Sequence, residues 1–564
     1  MDPGPQDDTI LTLQSSHRSE AIWKGEEYGV LTCRSHLRIL STFPVPEPVT
    51  NFISNTQFSG IQRLCYVPID NDLITALVER WREETHTFHL PFGEVTITLQ
   101  DVAVLFGLGV NGRPVTGSSD HVWVTLCEEL LGLRPSTAAL KGSKLKLTWL
   151  HDNFQNLPNN ANEATLHCHV RAYLLYLIGA VLFPDKSGNT VSLLFLPLLE
   201  DLTQIDEISW GSGVLACLYR NMCKASKKSV WQIAGPILLL QLWSWERISI
   251  GRPIIRKSHV VEEEGVNYPL GSQLRAGVDP LGCKWLRVHR YYKDHRLGLN
   301  VLRDLLDKMV ELQFVWVPYT TTVLQNLSPR CSENQEEWLV ITPLICFEVV
   351  EWHLPNRCVR QFGWHQAIPL PCNTRVELHE ISRKGDNTTN YAVIHTESIG
   401  LWNNRMNKRV QPGNRYSGLM DHDDEYLKWY HAITRRLISP LSSMVYDDYE
   451  NHHNYYPTAA DYQTLTEGII FNYNTTTTML NNMPDDVPLG YYAMIEKMHT
   501  MSLNALRKTR QGHLIGDEEP RESTPPRYDF RQLEHRQQHN PSQESEGRES
   551  SSRPQKKGRS RGER

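Results

Sequence analysis

The chain has 564 residues, 40% hydrophobic and 22% charged, with 58 Lys+Arg against 64 Asp+Glu. That balance describes a soluble globular protein with ample apolar material for a core, and it excludes collagen-like, wholly disordered and disulfide-scaffold classes. Charge is uneven: residues 507–564 hold 14 Lys+Arg and 10 Asp+Glu, so an acidic body of net −10 precedes a basic tail of net +4.

Met1 to Thr12 carries Pro and Asp where a secretory signal needs a basic start and an apolar run, so no secretion is expected. Asp72 is placed to cap a helix whose residues Leu73, Ile74, Leu77, Val78 and Trp81 recur at the helical period. The period then changes: Phe88, Leu90, Val95, Ile97 and Leu99 alternate with polar residues around a Pro91–Glu94 turn, which predicts a β-hairpin near residues 86–99. Thr98 and Asp101 stand at capping-box spacing before a short helix stopped by Gly107 and Gly109. Further helices are predicted at 167–183, 213–225, 230–247 with a kink at Gly235-Pro236, 299–313, 336–352 and 424–438. The apolar stretches Ala172–Pro184 and Ala234–Trp245 fall short of the roughly 20 residues of a membrane span and read as core helices. The fold class expected is therefore mainly α: a compact multi-helix domain over 4–440 with a small β-hairpin. A polar, aromatic low-complexity arm follows at 441–511, with one short helix within 489–506. The segment 512–564 is too poor in β-branched and aromatic residues to offset ordering entropy and is expected to be a disordered basic tail.

The stretch Ala76–Gly117, ALVERWREETHTFHLPFGEVTITLQDVAVLFGLGVNGRPVTG, resembles the signature of the plant mobile domain, also called the aminotransferase-like plant mobile domain. Blocks at Gly4–Gly25, Ala172–Val191, Trp210–Ser226, Ala234–Ile248 and Leu339–Gly363 resemble it in the same order. Within that family the likeness is to the MAINTENANCE OF MERISTEMS-like branch and to the amino-terminal part of long-form phosphatase 7. The resemblance implies a non-enzymatic nuclear scaffold connected with meristem maintenance and transposon silencing through a protein partner, a serine/threonine-protein phosphatase 7-type enzyme. The alternative is a mobile-element-derived protein that binds or processes nucleic acid. The family brings no catalytic residues to carry over. No GDxHG, GDxxDRG or GNHE motif of a metallophosphatase occurs, and no lysine has an identifiable pyridoxal phosphate environment.

Residue by residue, the chemistry is sparse, and no catalytic, cofactor or metal residue is assigned. The eleven cysteines, odd in number and widely spaced, suit a reducing compartment. His167-Cys168-His169, the pair Cys217 and Cys223, and the set Cys358, His365 and Cys372 lack the paired knuckle spacing of structural zinc. Trp210-Gly211-Ser212-Gly213 imitates a nucleophile elbow without its pattern and reads as a helix start. Lys141-Gly142-Ser143-Lys144 lacks the glycine spacing of a phosphate loop. The acidic run Asp421, Asp423, Asp424 and Glu425 suits the positive end of a helix dipole. Most of the fifteen tryptophans read as core, while Trp23, Arg80, Trp81 and Arg82 form a candidate partner surface, since Trp and Arg are enriched at interface hot spots. In the tail, Arg553, Lys556, Lys557, Arg559 and Arg561 form a cluster suited to a nuclear import receptor, with weak, salt-sensitive nucleic-acid contact as a second use. Nuclear localisation and no membrane contact are expected.

Overall fold

In the computed structural model the alternating stretch folds as an antiparallel meander of Trp81–Arg82, Thr87–Leu90 and Gly93–Val95. Phe88 sits opposite both Trp81 and Val95, so the apolar face is continuous across the three strands. The structure describes residues 3–26, 28–34, 43–64, 67–253, 260–263, 266–269, 274–286, 296–371, 374, 376–381, 388–416 and 418–440, with isolated helical positions at 476, 479, 495, 498, 499 and 502. Apart from those positions, the predicted arm and tail lie outside the described residues. Residues 1–449 form one unit and 450–564 another; in the second, the Thr476 hydroxyl stands 3.2 Å from His499 Nδ1.

The helix entering the meander, Asn71–Val78, is capped by Asp70, whose carboxylate accepts the Asp72 and Leu73 amides. Asp72 instead accepts the amide of Leu299. After the meander, Thr98 and Asp101 form the expected capping box on Leu99–Phe106, and Gly107 ends that helix with a φ of 69°, a conformation glycine adopts without strain. The helix Glu163–Leu177, capped by Asn162, continues as a wide π-type turn through Leu182. Because it starts earlier than predicted, it reaches 20 residues and is long and apolar enough to cross a membrane by length and composition, yet 72% of its apolar window is buried inside the protein. That burial is the pattern of a core helix. Its Gly179 lies so close to the strand Thr190–Ser192 that a Cβ there would stand 2.5 Å from Val191 Cβ.

Four predicted helices differ. Residues 336–352 form a 3-10 turn, Gln335–Leu339, followed by a hairpin of Thr342–Cys346 and Val349–His353 joined by Phe347-Glu348. Pro343 cannot donate inside a helix, and a run that is buried on both faces carries no period to tell strand from helix. At 230–247, Gln232–Ile233 is extended and pairs in parallel with Thr32–Cys33; the helix begins only at Ile237, after Gly235 turns with a φ of 86°. A break stands where a kink was expected. The 299–313 segment stops at Asp307, with a separate turn at Glu311–Gln313, and the last helix runs only Glu425–Ile433, capped by Asp424.

The architecture is mainly α with several small sheets, so the single predicted hairpin understates the β content. One continuous core runs from Leu31 to Trp402, and Trp81, Trp210, Trp243, Trp245 and Trp402 are fully buried in it. Buried ion pairs stitch the helices to each other. Arg247 gives two bonds of 3.0 and 2.9 Å to Asp101 Oδ1, which also accepts the Tyr319 hydroxyl at 2.8 Å. Arg303 clamps Glu79 at 2.6 and 2.8 Å.

Candidate functional site

The proposed partner surface is largely core. Arg80, Trp81 and Arg82 are at most 2% exposed, so no partner can reach them in the folded chain. Arg80 donates to the Ala76 and Arg303 carbonyls and to Asp307 at 2.6 Å, while Arg82 donates to Gln14 Oε1 at 2.8 Å. Burial pulls the Arg82 guanidinium down to about 10. Only Trp23 is partly exposed, with the Arg435 guanidinium 5.5 Å above its ring. Arg and Trp, the residue types of interface hot spots, serve here as internal struts. The import cluster Arg553, Lys556, Lys557, Arg559 and Arg561 lies outside the described residues.

The cysteine and histidine groups weighed from the sequence do not gather as sets. Both His169 nitrogens are taken by the Thr165 and Asn156 carbonyls, and His167 packs edge-on against Phe52. Cys358 is buried and bonds the Pro355 carbonyl, His365 pairs with Asp424 at 2.9 Å, and Cys372 lies outside the described residues. The Trp210-Gly211-Ser212-Gly213 stretch is the first turn of the helix Trp210–Ala225; the Ser212 hydroxyl is buried and donates to the Ser209 carbonyl. A Cβ at Gly213 would stand 2.7 Å from Val115, so close packing explains that glycine.

What the fold does assemble surrounds that helix. Its length packs on both strands of the 342–353 hairpin, and between the hairpin turn, the Lys144–Lys146 strand and the loop after Leu182 lies a cavity of about 870 Å³, of the size that admits a ligand or a few side chains. Five cationic side chains line it: Lys141, Lys144, Lys186, Arg220 and Lys224. Facing them are the carboxylates of Asp185 and Glu348. Asp185 is already held by Lys144 at 2.6 Å, and that contact with the Ser187 and Thr190 hydroxyls lowers its proton affinity despite burial. Burial and then the Arg220 charge lower that of Lys224, with Glu348 opposing. The cavity therefore favours an anion.

Arg220 and His379, which line the cavity, belong to a buried polar cluster beneath it. Arg220 Nε is bonded to Glu351 Oε1, and Arg220 Nη2 donates to the Val350 carbonyl at 3.2 Å. Glu351 Oε2 stands 3.0 Å from both His379 Nε2 and His86 Nε2. Cys223 Sγ accepts the Trp81 indole N–H at 3.3 Å. Opposite lies Glu83, which burial pushes up to about 7 although Lys227, 3.6 Å away, opposes this. Arg220 holds Glu351 well below the usual carboxylate range, with both histidines adding to the effect, and burial pushes the Cys223 thiol far up. Of these residues only Trp81 and Cys223 figured in the sequence reading, because the others are strewn over several elements with no local spacing to mark them. The one local signal is His86, a non-glycine residue with a φ of 51°, a conformation that often marks a functional position.

The fold is thus a helical unit whose cavity is lined mainly by cations over a buried polar cluster. The plant mobile domain model matches residues 58–431, and the chain belongs to that family. Among curated proteins it is 45% identical over 444 residues to the serine/threonine-protein phosphatase 7 long form homolog of Arabidopsis thaliana, covering 78% of this chain and 32% of that protein. The chain thus spans about a third of that relative's length, and the match lies in the plant mobile domain region. It is 36% identical over 448 residues to Protein MAIN-LIKE 1 and 31% over 429 residues to Protein MAINTENANCE OF MERISTEMS, both of Arabidopsis thaliana. Those matches cover 77% and 75% of this chain and 80% and 82% of the two relatives. No solved structure matches the chain.

Proposed function

We propose that this chain is a non-catalytic nuclear binding module that holds an acidic segment of a protein partner in the cavity, and that the partner is a phosphatase 7-type enzyme. The observation that carries the reading is the local inversion of charge: five cations against two carboxylates line one cavity of a body whose net charge is −10. A complementary acidic segment would be steered to it and fixed in register there. The relative named Protein MAINTENANCE OF MERISTEMS supports meristem maintenance as the output, and transposon silencing is the further output that the family resemblance implies. The test is affinity purification of the tagged full chain from plant nuclei, with and without nuclease, beside a Lys186→Glu/Lys224→Glu variant. Recovery of a phosphatase 7-type enzyme that survives nuclease and is lost with the variant supports the reading. Recovery only of nuclease-sensitive chromatin proteins favours nucleic-acid binding instead.

A further inference from the structure

Beneath the cavity, and reaching its lining only through His379, lie four side chains that anion capture does not use. His86, Cys223, Glu351 and His379 each turn one ligand atom toward a common point, all four atoms within 4.8 Å of one another. They arrive from the turn before the Thr87–Leu90 strand, the last turns of the Trp210–Ala225 helix, the Val349–His353 strand and the turn Val376–Glu380.

The hydrogen bonds fix which atoms are available. His86 Nδ1 is 2.8 Å from the Trp352 carbonyl, which can only accept, so Nδ1 carries the proton and a neutral His86 presents the Nε2 lone pair to the cluster. This is the arrangement in which histidines ligate metals, the far nitrogen oriented by a backbone carbonyl. His86 is 1% exposed, and its Nε2 makes no hydrogen bond although Glu351 Oε2 is 3.0 Å away. A lone pair facing a carboxylate oxygen at that distance is repulsive unless a proton or a metal ion lies between them. Arg220 occupies Oε1 of the same carboxylate, leaving Oε2 at the point of convergence, and the Trp81 indole N–H is placed to stabilise a thiolate on Cys223.

We propose that His86, Cys223, Glu351 and His379 bind one zinc ion, which pins the 342–353 hairpin and the 376–380 turn to the long helix. Two imidazoles, one thiolate and one carboxylate are a donor set zinc accepts, and ligands about 2.0–2.3 Å from the ion need to settle about 3.3–3.8 Å apart, a small adjustment of the observed cluster. The thiolate and the Glu351 carboxylate together offset the charge of the ion, while Glu351 keeps its bond from Arg220. Four protein ligands leave no open position, so the site is structural. Binding releases the Cys223 proton to solvent.

The test uses the full chain, purified with a reductant, stripped with a chelator and titrated with cobalt(II), then zinc. One cobalt per chain with tetrahedral visible bands and a thiolate-to-cobalt charge-transfer band is expected, displaced by zinc. Cys223→Ser abolishes the charge-transfer band, and His379→Gln, nearer the surface, weakens binding by more than about 10-fold. Cys217→Ser, on the same helix and lining the cavity, leaves both unchanged. Failure of the native chain to bind stoichiometrically, or a charge-transfer band that survives Cys223→Ser, overturns the proposal and leaves a proton-charged His–Glu network. The result is independent of the partner reading, which the Lys186 and Lys224 variant tests separately.

Discussion

Replacing Arg247 with Met keeps an unbranched apolar stem and removes the guanidinium with its charge. In the native chain Arg247 meets Asp101 through two bonds, donates to the Trp316 carbonyl at 2.7 Å and lies 5.2 Å from the Tyr319 ring centre. After the change, Asp101 Oδ1 retains only the Tyr319 hydroxyl among its side-chain donors, in a fully buried position. Removing one partner of a buried pair costs about 3–5 kcal/mol, a large part of the roughly 5–15 kcal/mol that holds a domain folded. Urea unfolding of the full chain should show that loss as a lower midpoint at unchanged slope. Adding Asp101→Asn removes the stranded charge and should restore a substantial part of it. The exposed pair of Arg134 and Glu128, 67% and 54% exposed, is the control; Arg134→Met should cost less than about 1 kcal/mol. A cost for Arg247→Met no greater than this control would refute the view that buried ion pairs hold the helices together.

Burial, helped by the Arg82 and Arg357 charges and opposed by Glu94, holds His89 down at about 4. An unfolded histidine titrates near 6.5, so the unfolded state binds more protons between those values; the contribution is present above pH 6.5, is lost as pH falls, and totals about 3 kcal/mol by pH 4. Unfolding curves across that range should flatten in His89→Gln. Gly179→Ala forces a Cβ against Val191 and should cost about 1–3 kcal/mol, read as a lowered melting temperature, whereas Gly142→Ala, with open space around its Cβ position, should cost less, limited to its left-handed backbone. Alanine at Lys556, Lys557, Arg559 and Arg561 should move a fluorescent fusion out of the nucleus, and unchanged nuclear accumulation would refute the import role.

The features legible in the sequence were those with a local signature. The Thr87–Val95 hairpin declared itself by alternation, Thr98 and Asp101 by capping-box spacing, and the Trp210–Ala225 helix by its period. The Thr342–His353 hairpin was hidden because its strands are buried on both faces, and its few polar residues, Thr342, Glu351 and His353, are buried as well and mark no solvent face. Arg80, Trp81 and Arg82 misled for a related reason: residue type suggests a surface, but only the fold supplies the carbonyls and Asp307 that pair them inside. The cavity and its wall were out of reach, since Lys144, Lys186, Arg220 and His379 meet only through tertiary packing.

The most direct test of the central claim is calorimetric titration of the purified full chain with a purified phosphatase 7-type enzyme, in the presence and absence of duplex DNA. Stoichiometric binding that DNA does not displace, and that weakens at least about 10-fold in Lys186→Glu/Lys224→Glu, is the predicted result. No binding, or binding indifferent to those two charge reversals, would contradict the account.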